Sequence, residues 1–290
     1  MRVIEFDRFS FSYKGSKRKA LDSISLAIQQ GEFIAVTGAS GAGKTTLTMA
    51  ISGLVPHYFG GALSGTAQIA GKGILEYKVS ELALKVGTVL EDYESQLVTM
   101  TAADEIAFGL ENRGIAKEQI CEKTSAVLEM VGLAGKADCE VASLSGGQKQ
   151  RLAIAAVLAT DPEILVLDEP ASALDPEGTD ELYALLARLN REQNITVVVV
   201  EHDISRILPC IDQLVLMEEG KIAKAGTVAD TLLYLNSRAH YREALPALWE
   251  LKFALDAALG YQHRNWLTEE EALQELSERL SSEAEVVKSA

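Results

Sequence analysis

Residues 33–45 limit the possible folds of this chain more strongly than any other stretch of the sequence. The apolar run Phe33–Thr37 is followed directly by a segment that fits the pattern G-x-x-x-x-G-K-[ST], namely Gly38, Ala39, Ser40, Gly41, Ala42, Gly43, Lys44 and Thr45. The glycines allow a tight turn in which successive backbone N–H groups point inward toward phosphate oxygens. A helix over Thr45–Ser52 would add positive potential at its N-terminus. The segment therefore predicts a strand, a phosphate-binding loop and a helix, in that order.

The side chains of this loop suit the chemistry of a nucleoside triphosphate. Lys44 offers a positive charge to the β- and γ-phosphates, which makes it a candidate catalytic residue as well. The Thr45 hydroxyl can bind Mg²⁺. We include the next residue, Thr46, among the predicted nucleotide contacts. The loop thus predicts a triphosphate and Mg²⁺ as ligands.

Short apolar runs alternate with helical patterns along most of the chain. We interpret these runs as further strands: Val86–Leu90, Ile164–Leu167, Thr196–Val200 and Gln213–Met217. The runs that begin at 33, 164 and 196 lack polar alternation, which is typical of strands buried on both faces. Helical patterns such as Gln148–Leu158 and Asp180–Leu189 lie between the strands. This order predicts an α/β fold of the RecA-like P-loop NTPase class, with a mostly parallel sheet covered by helices.

Two additions to this core are predicted within residues 1–229. Val3–Tyr13 and Leu21–Ile28 alternate like antiparallel strands, so we expect an antiparallel β subdomain at the N-terminus. Residues from about 92 to 160 are mainly helical, with Thr101–Leu110 and Lys117–Val131 as candidate helices. This stretch predicts a helical subdomain inserted into the sheet topology.

Residues 230–290 are predicted to form a C-terminal helical appendage, because Leu, Ala and Glu dominate their composition. Thr268 with Glu271 fits a helix capping box. Leucines recur at helical spacing before and after it: Leu248, Leu251, Leu255 and Leu259, then Leu273, Leu276 and Leu280. We expect the apolar stripe of this appendage to pack on another surface.

A second motif lies at the end of the run Ile164–Leu167, where Asp168 and Glu169 follow. In a P-loop protein this strand end holds the metal, so Asp168 is a candidate Mg²⁺ ligand. Glu169 would point the other way along an extended backbone. That orientation suits a general base that polarises the attacking water, so Glu169 is a candidate catalytic residue.

A third motif precedes Asp168 and opens a predicted helix: Leu144, Ser145, Gly146, Gly147 and Gln148. The three motifs together resemble the nucleotide-binding subunit of an ATP-binding-cassette (ABC) protein over residues 3–228. The resemblance implies that ATP and Mg²⁺ are bound, and that the third motif contacts the ATP held by an opposite subunit. It argues strongly against a kinase or a GTPase.

The resemblance extends to smaller motifs and implies roles for them. Tyr13 matches the aromatic residue that stacks on adenine, and His202 matches the switch histidine that senses the γ-phosphate and supports catalysis. The loop that communicates across the dimer is matched by Ser172, Ala173, Leu174 and Asp175.

One position departs from the family pattern. Where the family has a glutamine that ligates Mg²⁺ and orients the water, this sequence has Glu91. A carboxylate is also a good Mg²⁺ ligand, but when ionised it cannot donate a hydrogen bond and it adds negative charge near the phosphates. We therefore expect Glu91 to keep a metal-proximal role and to alter the hydrolysis rate or the metal dependence.

A narrower resemblance concerns the energy-coupling-factor (ECF) type ATPases, which power uptake of vitamins and of cobalt or nickel ions. It rests on residues 104–112, read DEIAFGLEN, on Gly53–His57 and on Glu94–Leu97. It implies a peripheral protein at the cytoplasmic face of the membrane. Its partners would be a second ABC ATPase subunit (identical or related), a transmembrane coupling subunit and a substrate-binding membrane subunit.

Composition limits the alternatives. The 27 basic against 42 acidic residues give a net charge of −15, which disfavours nucleic acid as a partner because phosphate-backbone affinity comes mainly from Lys and Arg. The cysteines Cys121, Cys139 and Cys210 show no C-x-x-C spacing, so no zinc site is predicted. No apolar run approaches the roughly 18 residues of a membrane-spanning helix, so direct membrane insertion is not expected. Another importer or exporter class, or a soluble ABC ATPase acting on ribosomes or DNA, remains an alternative.

Overall fold

The computed structural model describes residues 1–260 and 262–289. The strands are β1 Arg2–Tyr13, β2 Leu21–Gln29, β3 Phe33–Thr37, β4 Gly61–Ile69, β5 Lys72–Gly73, β6 Val86–Val89, β7 Ile164–Asp168, β8 Thr196–Val200, β9 Gln213–Glu218 and β10 Lys221–Gly226. The helices are α1 Lys44–Ile51, α2 Leu54–His57, α3 Val79–Leu82, α4 Ala102–Glu111, α5 Lys117–Met130, α6 Gly146–Leu158, α7 Pro176–Gln193, α8 Val228–Asn236, α9 Ala247–Leu259 and α10 Glu269–Ser289.

The central sheet has the strand order β10-β9-β3-β8-β7-β6 within the described residues. Strands β9, β3, β8, β7 and β6 run parallel, and β10 pairs antiparallel with β9 at the edge. Val36 of β3 pairs with Val200 of β8, which in turn pairs with Asp168 of β7. The carboxyl ends of these strands therefore meet at one edge of the sheet, which is where ligands bind in open parallel sheets.

Both faces of this sheet are buried, as the uniformly apolar strands predict. Phe33 and Ala35 of β3 point into one apolar cluster with helices α4–α7, whereas Ile34 and Val36 point into a second cluster with β1, β2 and α1. Strands β7 and β8 divide their side chains in the same way. The side chains alternate because successive residues of a strand face opposite sides of the sheet.

A smaller antiparallel sheet has the order β2-β1-β4-β5. The first two strands were expected from the alternation of the sequence, but β4 was not. Its sequence GALSGTAQI buries only Ala67 and Ile69, so its apolar pattern is too short to indicate a strand. Pairing with β1 from Ile4 to Tyr13 determines its conformation instead.

The C-terminal helices leave part of their leucine stripe uncovered. Leu251 and Leu259 of α9 are 48% and 52% exposed, whereas Leu248 and Leu255 are half-buried. The helix buries Trp249 and Lys252 instead. Trp249 offers a larger apolar area than a leucine, and Lys252 is neutralised by Asp256 one turn later, at 2.7 Å between Nζ and Oδ2.

The same holds for α10, where Leu273 and Leu280 are exposed and Ala272 and Glu275 are buried. Thr268 does accept a hydrogen bond from the Glu271 amide, but the Glu271 carboxylate accepts from Leu267 rather than from the amide of Thr268. The division of the chain at residues 229 and 230 stays a prediction. In the described part of the chain, no helix is both long and apolar enough to cross a membrane.

Candidate nucleotide-binding site

The predicted nucleotide residues line one open cavity of about 390 Å³ at the carboxyl edge of the central sheet. Its lining includes Tyr13, Ser40, Gly41, Gly43, Lys44, Thr45, Thr46, Glu91, Glu169 and His202. These residues come from five separate parts of the chain. The tertiary structure thus brings together most of the predicted site; we call this cavity the nucleotide cleft.

The loop from Gly38 to Gly43 can adopt its path only because two positions lack a side chain. Gly38 has φ +145°, and a Cβ there would lie 2.1 Å from the carbonyl oxygen of Met217. Gly43 has φ +99°, and its Cβ would lie 2.5 Å from the carbonyl oxygen of Ala20. The Ala42 amide closes the turn by donating to the Ala39 carbonyl. The loop therefore leads from β3 into α1 with the geometry of a phosphate cradle.

The Lys44 side chain lies along this loop. Its Nζ donates to the carbonyl oxygens of Gly38, at 2.8 Å, and Ala39, at 3.4 Å. Burial lowers the pKa of Lys44, while the negative charges of Glu169, Asp168 and Glu91 oppose this shift. The ammonium group is therefore held at the cleft by carbonyl oxygens that phosphate oxygens can replace.

Asp168 meets the requirements of a metal ligand. The side chain is almost completely buried, yet its Oδ1 accepts no hydrogen bond from the described residues. Its Oδ2 accepts a 3.4 Å hydrogen bond from the Thr48 hydroxyl. Burial raises the pKa of Asp168, and the Thr45 and Thr48 hydroxyls partly oppose this. An unsatisfied buried carboxylate oxygen beside the Thr45 hydroxyl fits a hard cation such as Mg²⁺.

Glu169 lies in the cleft, but not for the reason expected from the sequence. Strand β7 ends at Asp168, and Glu169 has φ +52°, so its backbone is left-handed rather than extended. The turn sends its carboxylate toward His202, at 2.9 Å between Oε1 and Nε2. The Glu169 amide donates to the Val200 carbonyl at 3.0 Å, which holds the turn against β8. The candidate base and the candidate switch histidine are therefore direct neighbours.

Glu91 lies at the tip of a short loop that Gln96 closes. The Gln96 side chain accepts from the Leu90 amide at 2.9 Å and donates to the Thr88 carbonyl at 3.2 Å. Glu91 is exposed and lines the cleft. Its negative charge is a smaller influence than burial on two neighbours: it opposes the lowering of the Lys44 pKa and adds to the raising of the Asp168 pKa. Asp92 and Glu94 point elsewhere: Asp92 caps a short turn, and Glu94 pairs with Lys149 at 3.0 Å.

Tyr13 ends β1 at the side of the cleft. Its hydroxyl lies 3.1 Å from the Thr46 Oγ1 and 3.8 Å from the Met49 Sδ. Its ring makes edge contacts with Phe11 and Phe59. An aromatic face is therefore present beside the phosphate-binding loop, which is where an adenine base would need it.

The third motif does not line the nucleotide cleft. Ser145, Gly146, Gly147 and Gln148 line a separate open cavity of about 500 Å³ together with Ala173, Leu174 and Asp175. Ser145 caps α6 in a capping box with Gln148, and Asp175 caps α7. Leu144 is buried next to them. The predicted nucleotide residues and the third motif thus line two separate cavities, which do not share a lining residue.

Sequence reasoning missed two groups of residues near the cleft. Ser16, Arg18 and Lys19 also line it, and the run KGSKRK at 14–19 in so acidic a chain was a usable signal. The second is Glu201, whose carboxylate is buried between Tyr183 and Ala171. No local pattern marks such a residue, because its partners are 18 and 30 positions away.

Comparison with known proteins identifies the family. Residues 21–172 match the family described as ABC transporter. A Pyrococcus horikoshii protein, provisionally named as an ABC transporter ATP-binding protein, is 38% identical over 276 residues, which cover 95% of this chain and 97% of the relative. A similarly named Methanosarcina mazei protein is 41% identical over 230 residues, or 79% of this chain but 39% of the relative.

Solved structures confirm the predicted fold class. CbiO1 of Clostridium perfringens, described as part of the ABC transporter complex CbiONQ, has a TM-score of 0.71 and 28% identity, over 82% of this chain and 96% of that chain. A dimeric ATP-binding cassette in a post-hydrolysis state with ADP and Pi has a TM-score of 0.69 and 29% identity, over 78% and 98% of the two chains. The chain therefore belongs to the ABC transporter family, as an ATP-binding subunit that hydrolyses ATP.

Proposed function

We propose that this chain is the ATPase subunit of an ECF-type importer of a micronutrient, a vitamin or a metal ion. The observation that carries the proposal is the likeness to CbiO1, whose description places that protein in a transporter complex. The segment at 104–112 supports it from the sequence side. In this role the chain acts at the cytoplasmic face of the membrane, bound to a transmembrane coupling subunit and a substrate-binding membrane subunit.

The separation of the nucleotide cleft from the cavity of the third motif supports a dimer as the active form. ATP in the nucleotide cleft of one subunit meets Ser145–Gln148 of a second subunit, which is either identical or related. Ser172–Asp175 lies beside that motif and communicates across the interface. ATP thus joins the two subunits, and its hydrolysis removes the bridging contacts. The dimeric cassette structure is consistent with this arrangement.

Residues of the nucleotide cleft divide the chemistry between them. Water attacks the γ-phosphorus and forms a new P–O bond, while the bond from that phosphorus to the β–γ bridging oxygen breaks. Glu169 takes the proton of the water, and Lys44 stabilises charge on the β- and γ-phosphates. His202, held 2.9 Å from Glu169, senses the γ-phosphate. Tyr13 stacks on the adenine.

Thr45, Asp168 and Glu91 are the residues that would hold Mg²⁺. Bound Mg²⁺ neutralises negative charge on the β- and γ-phosphate oxygens. The unsatisfied Oδ1 of Asp168 is the feature that fits this ion best, since a buried carboxylate oxygen without a partner is costly in the free protein.

A groove beside the Glu91 loop supports a membrane subunit as partner. This cavity of about 580 Å³ lies between the central sheet and the helices α3, α4 and α6. Leu84 and Phe108, both about half exposed, lie on its wall, and so do Leu90 and Gln96 from the Glu91 loop. A partner segment seated there would be in contact with the loop that reaches the nucleotide cleft.

Co-purification from membranes tests this proposal. The tagged full-length chain should bring down its untagged membrane neighbours, and the bound small molecule should be a vitamin or a cobalt or nickel ion. Leu84→Asp should break the association and leave nucleotide binding intact. Leu259→Asp is the matched control, because Leu259 is 52% exposed, against 51% for Leu84, and lies outside the groove. Recovery of an exporter subunit, or of ribosomes, would contradict the proposal.

A further inference from the structure

Glu201 is a buried carboxylate that the predicted nucleotide contacts do not explain. It follows β8 directly and precedes His202, with 7% of its surface exposed, and it is not among the residues that line the nucleotide cleft. A buried carboxylate is costly unless its hydrogen bonds are made within the protein. Its contacts therefore indicate what it does.

Both hydrogen bonds to the Glu201 carboxylate arrive at the same oxygen. The Tyr183 hydroxyl on α7 donates to Oε1 at 2.7 Å, and the backbone amide of Ala171 donates to Oε1 at 3.2 Å. Glu201 thus links the end of β8, the middle of helix α7 and the turn after β7. Burial raises the pKa of Glu201 to about 7, and the two hydrogen bonds oppose that shift.

Ala171 belongs to the turn that carries the candidate base. Glu169 is held in a left-handed conformation, which is unfavourable for a residue that carries a Cβ. Its carbonyl accepts from the Ser172 amide at 3.2 Å, which places Ala171 inside a closed turn. A strained turn persists only where its surroundings determine it. Glu201 accepts from the Ala171 amide of this turn, and His202, the next residue, contacts the Glu169 carboxylate.

We propose that Glu201 is a positioning residue that fixes the turn from Glu169 to Ala171 against α7. This inference rests on the proposed role of Glu169 and deepens it. Because Asp175 caps α7 and Tyr183 lies two turns further along that helix, the contacts of Glu201 connect the turn of the base with α7 and the loop at 172–175. A displacement of α7 would therefore reach the base through Glu201.

Steady-state ATPase of the full-length chain tests the proposal. Glu201→Leu removes the acceptor and should lower kcat by about 10- to 100-fold with KM for ATP unchanged, because a displacement of the base by about 1 Å has an effect of this size. Glu201→Gln keeps an oxygen at Oε1 and should recover turnover to within about threefold of the original chain. Hydrogen exchange at the Ala171 amide should be faster in the leucine variant only.

Matched variants separate positioning from stability. Glu275→Leu makes the same change at another buried carboxylate, in α10, and should leave kcat of the folded fraction unchanged. If Glu201→Leu does not fold, Tyr183→Phe decides, with an expected kcat loss of about threefold and an unchanged KM. Normal kcat in either test variant, or equal damage by Gln and Leu, overturns the proposal.

Glu169→Gln, measured in parallel, distinguishes a failure of the proposed role of Glu169 from a failure of the proposed role of Glu201. Turnover retained in Glu169→Gln would remove the base that Glu201 is said to position, and both assignments would fall. Loss of turnover in Glu169→Gln together with normal kinetics in Glu201→Leu would overturn the positioning role alone.

Discussion

The nucleotide cleft and the C-terminal helices treat buried charges in opposite ways. Beside the cleft, at the end of β7, Asp168 leaves one oxygen without a partner among the described residues, and burial raises its pKa. In the C-terminal helices, burial would also raise the pKa of Asp256, but hydrogen bonds from Lys252 and His263 outweigh it and the pKa is lowered. The first region therefore retains unsatisfied charge for a ligand, whereas the second satisfies its charges internally and serves stability.

Glu275 of α10 shows the same internal satisfaction as Asp256. Its carboxylate accepts from the Trp266 indole at 2.7 Å, from the Arg264 amide at 2.9 Å and from the Arg279 guanidinium at 2.7 Å. Burial again opposes these contacts, and the net effect is a lowered pKa. The carboxylates of the two regions therefore differ in their hydrogen-bond partners and not in residue type.

The largest expected effect lies in the cleft. Glu169→Gln should lower the ATPase rate by about 10²- to 10⁴-fold, the usual contribution of a general base, while ATP is still bound. Nucleotide binding and single-turnover hydrolysis check this, with size-exclusion chromatography to detect a trapped dimer. Rapid turnover by this variant would contradict the role of Glu169 as the general base.

A substitution in the C-terminal helices should change the free energy of unfolding instead of the ATPase rate. Asp256→Ala leaves the buried Lys252 ammonium without its carboxylate and should lower the free energy of unfolding by about 3–5 kcal/mol. The exposed pair of Arg2 and Glu5 is the control, and Glu5→Ala should cost no more than about 1 kcal/mol. Urea unfolding measures both variants. Equal effects would show that burial of the pair is irrelevant.

The buried Glu201 carboxylate should make the free energy of unfolding depend on pH. Burial raises the pKa of Glu201 from 4.5 to about 7 in the folded state; hydrogen bonds from Tyr183 and Ala171 oppose this shift, and the negative charges of Glu169 and Asp203 add to it. Between these values the folded state binds more protons than the unfolded state, so stability falls as pH rises, by up to about 3 kcal/mol above pH 7. Glu201→Gln should lack this fall. Unfolding at pH 5 and pH 8 checks the difference, and parallel behaviour of the two proteins would contradict it.

Asp168→Asn, beside the cleft, should have opposite effects on stability and on nucleotide binding. Removal of a buried charge that lacks a full set of partners should raise the unfolding free energy of the nucleotide-free protein by about 1 kcal/mol. The same change should weaken Mg²⁺-dependent nucleotide binding. Thermal unfolding without and with Mg-ATP tests both parts. A clear loss of stability in the free protein would show that Asp168 is satisfied after all.

The smallest effect is expected at Glu91. Glu91→Gln removes an exposed negative charge near Lys44 and Asp168, so the Mg²⁺ concentration for half-maximal ATPase should rise about two- to fivefold, equivalent to about 0.4–1 kcal/mol. A Mg²⁺ titration of the ATPase rate measures it. An unchanged rate and an unchanged Mg²⁺ dependence would remove Glu91 from the metal-proximal residues.

The sequence by itself determined the local parts of the site. The loop from Gly38 to Thr45 could be predicted because its geometry depends on residues that are adjacent in the chain. The buried strands β3, β7 and β8 could be predicted for a related reason, since an unbroken apolar run is suited to burial on both faces. Resemblance to a family then extended the prediction to Tyr13, His202 and the third motif.

The tertiary structure alone decided how distant residues are partnered. It turned Glu169 into a left-handed conformation against His202, and it buried Glu201 under Ala171 and Tyr183. It also buried Trp249 and Lys252 of α9 while leaving Leu251 exposed. Each outcome depends on which groups from other elements arrive at a side chain. A one-dimensional pattern records the polarity of a residue but does not contain that information.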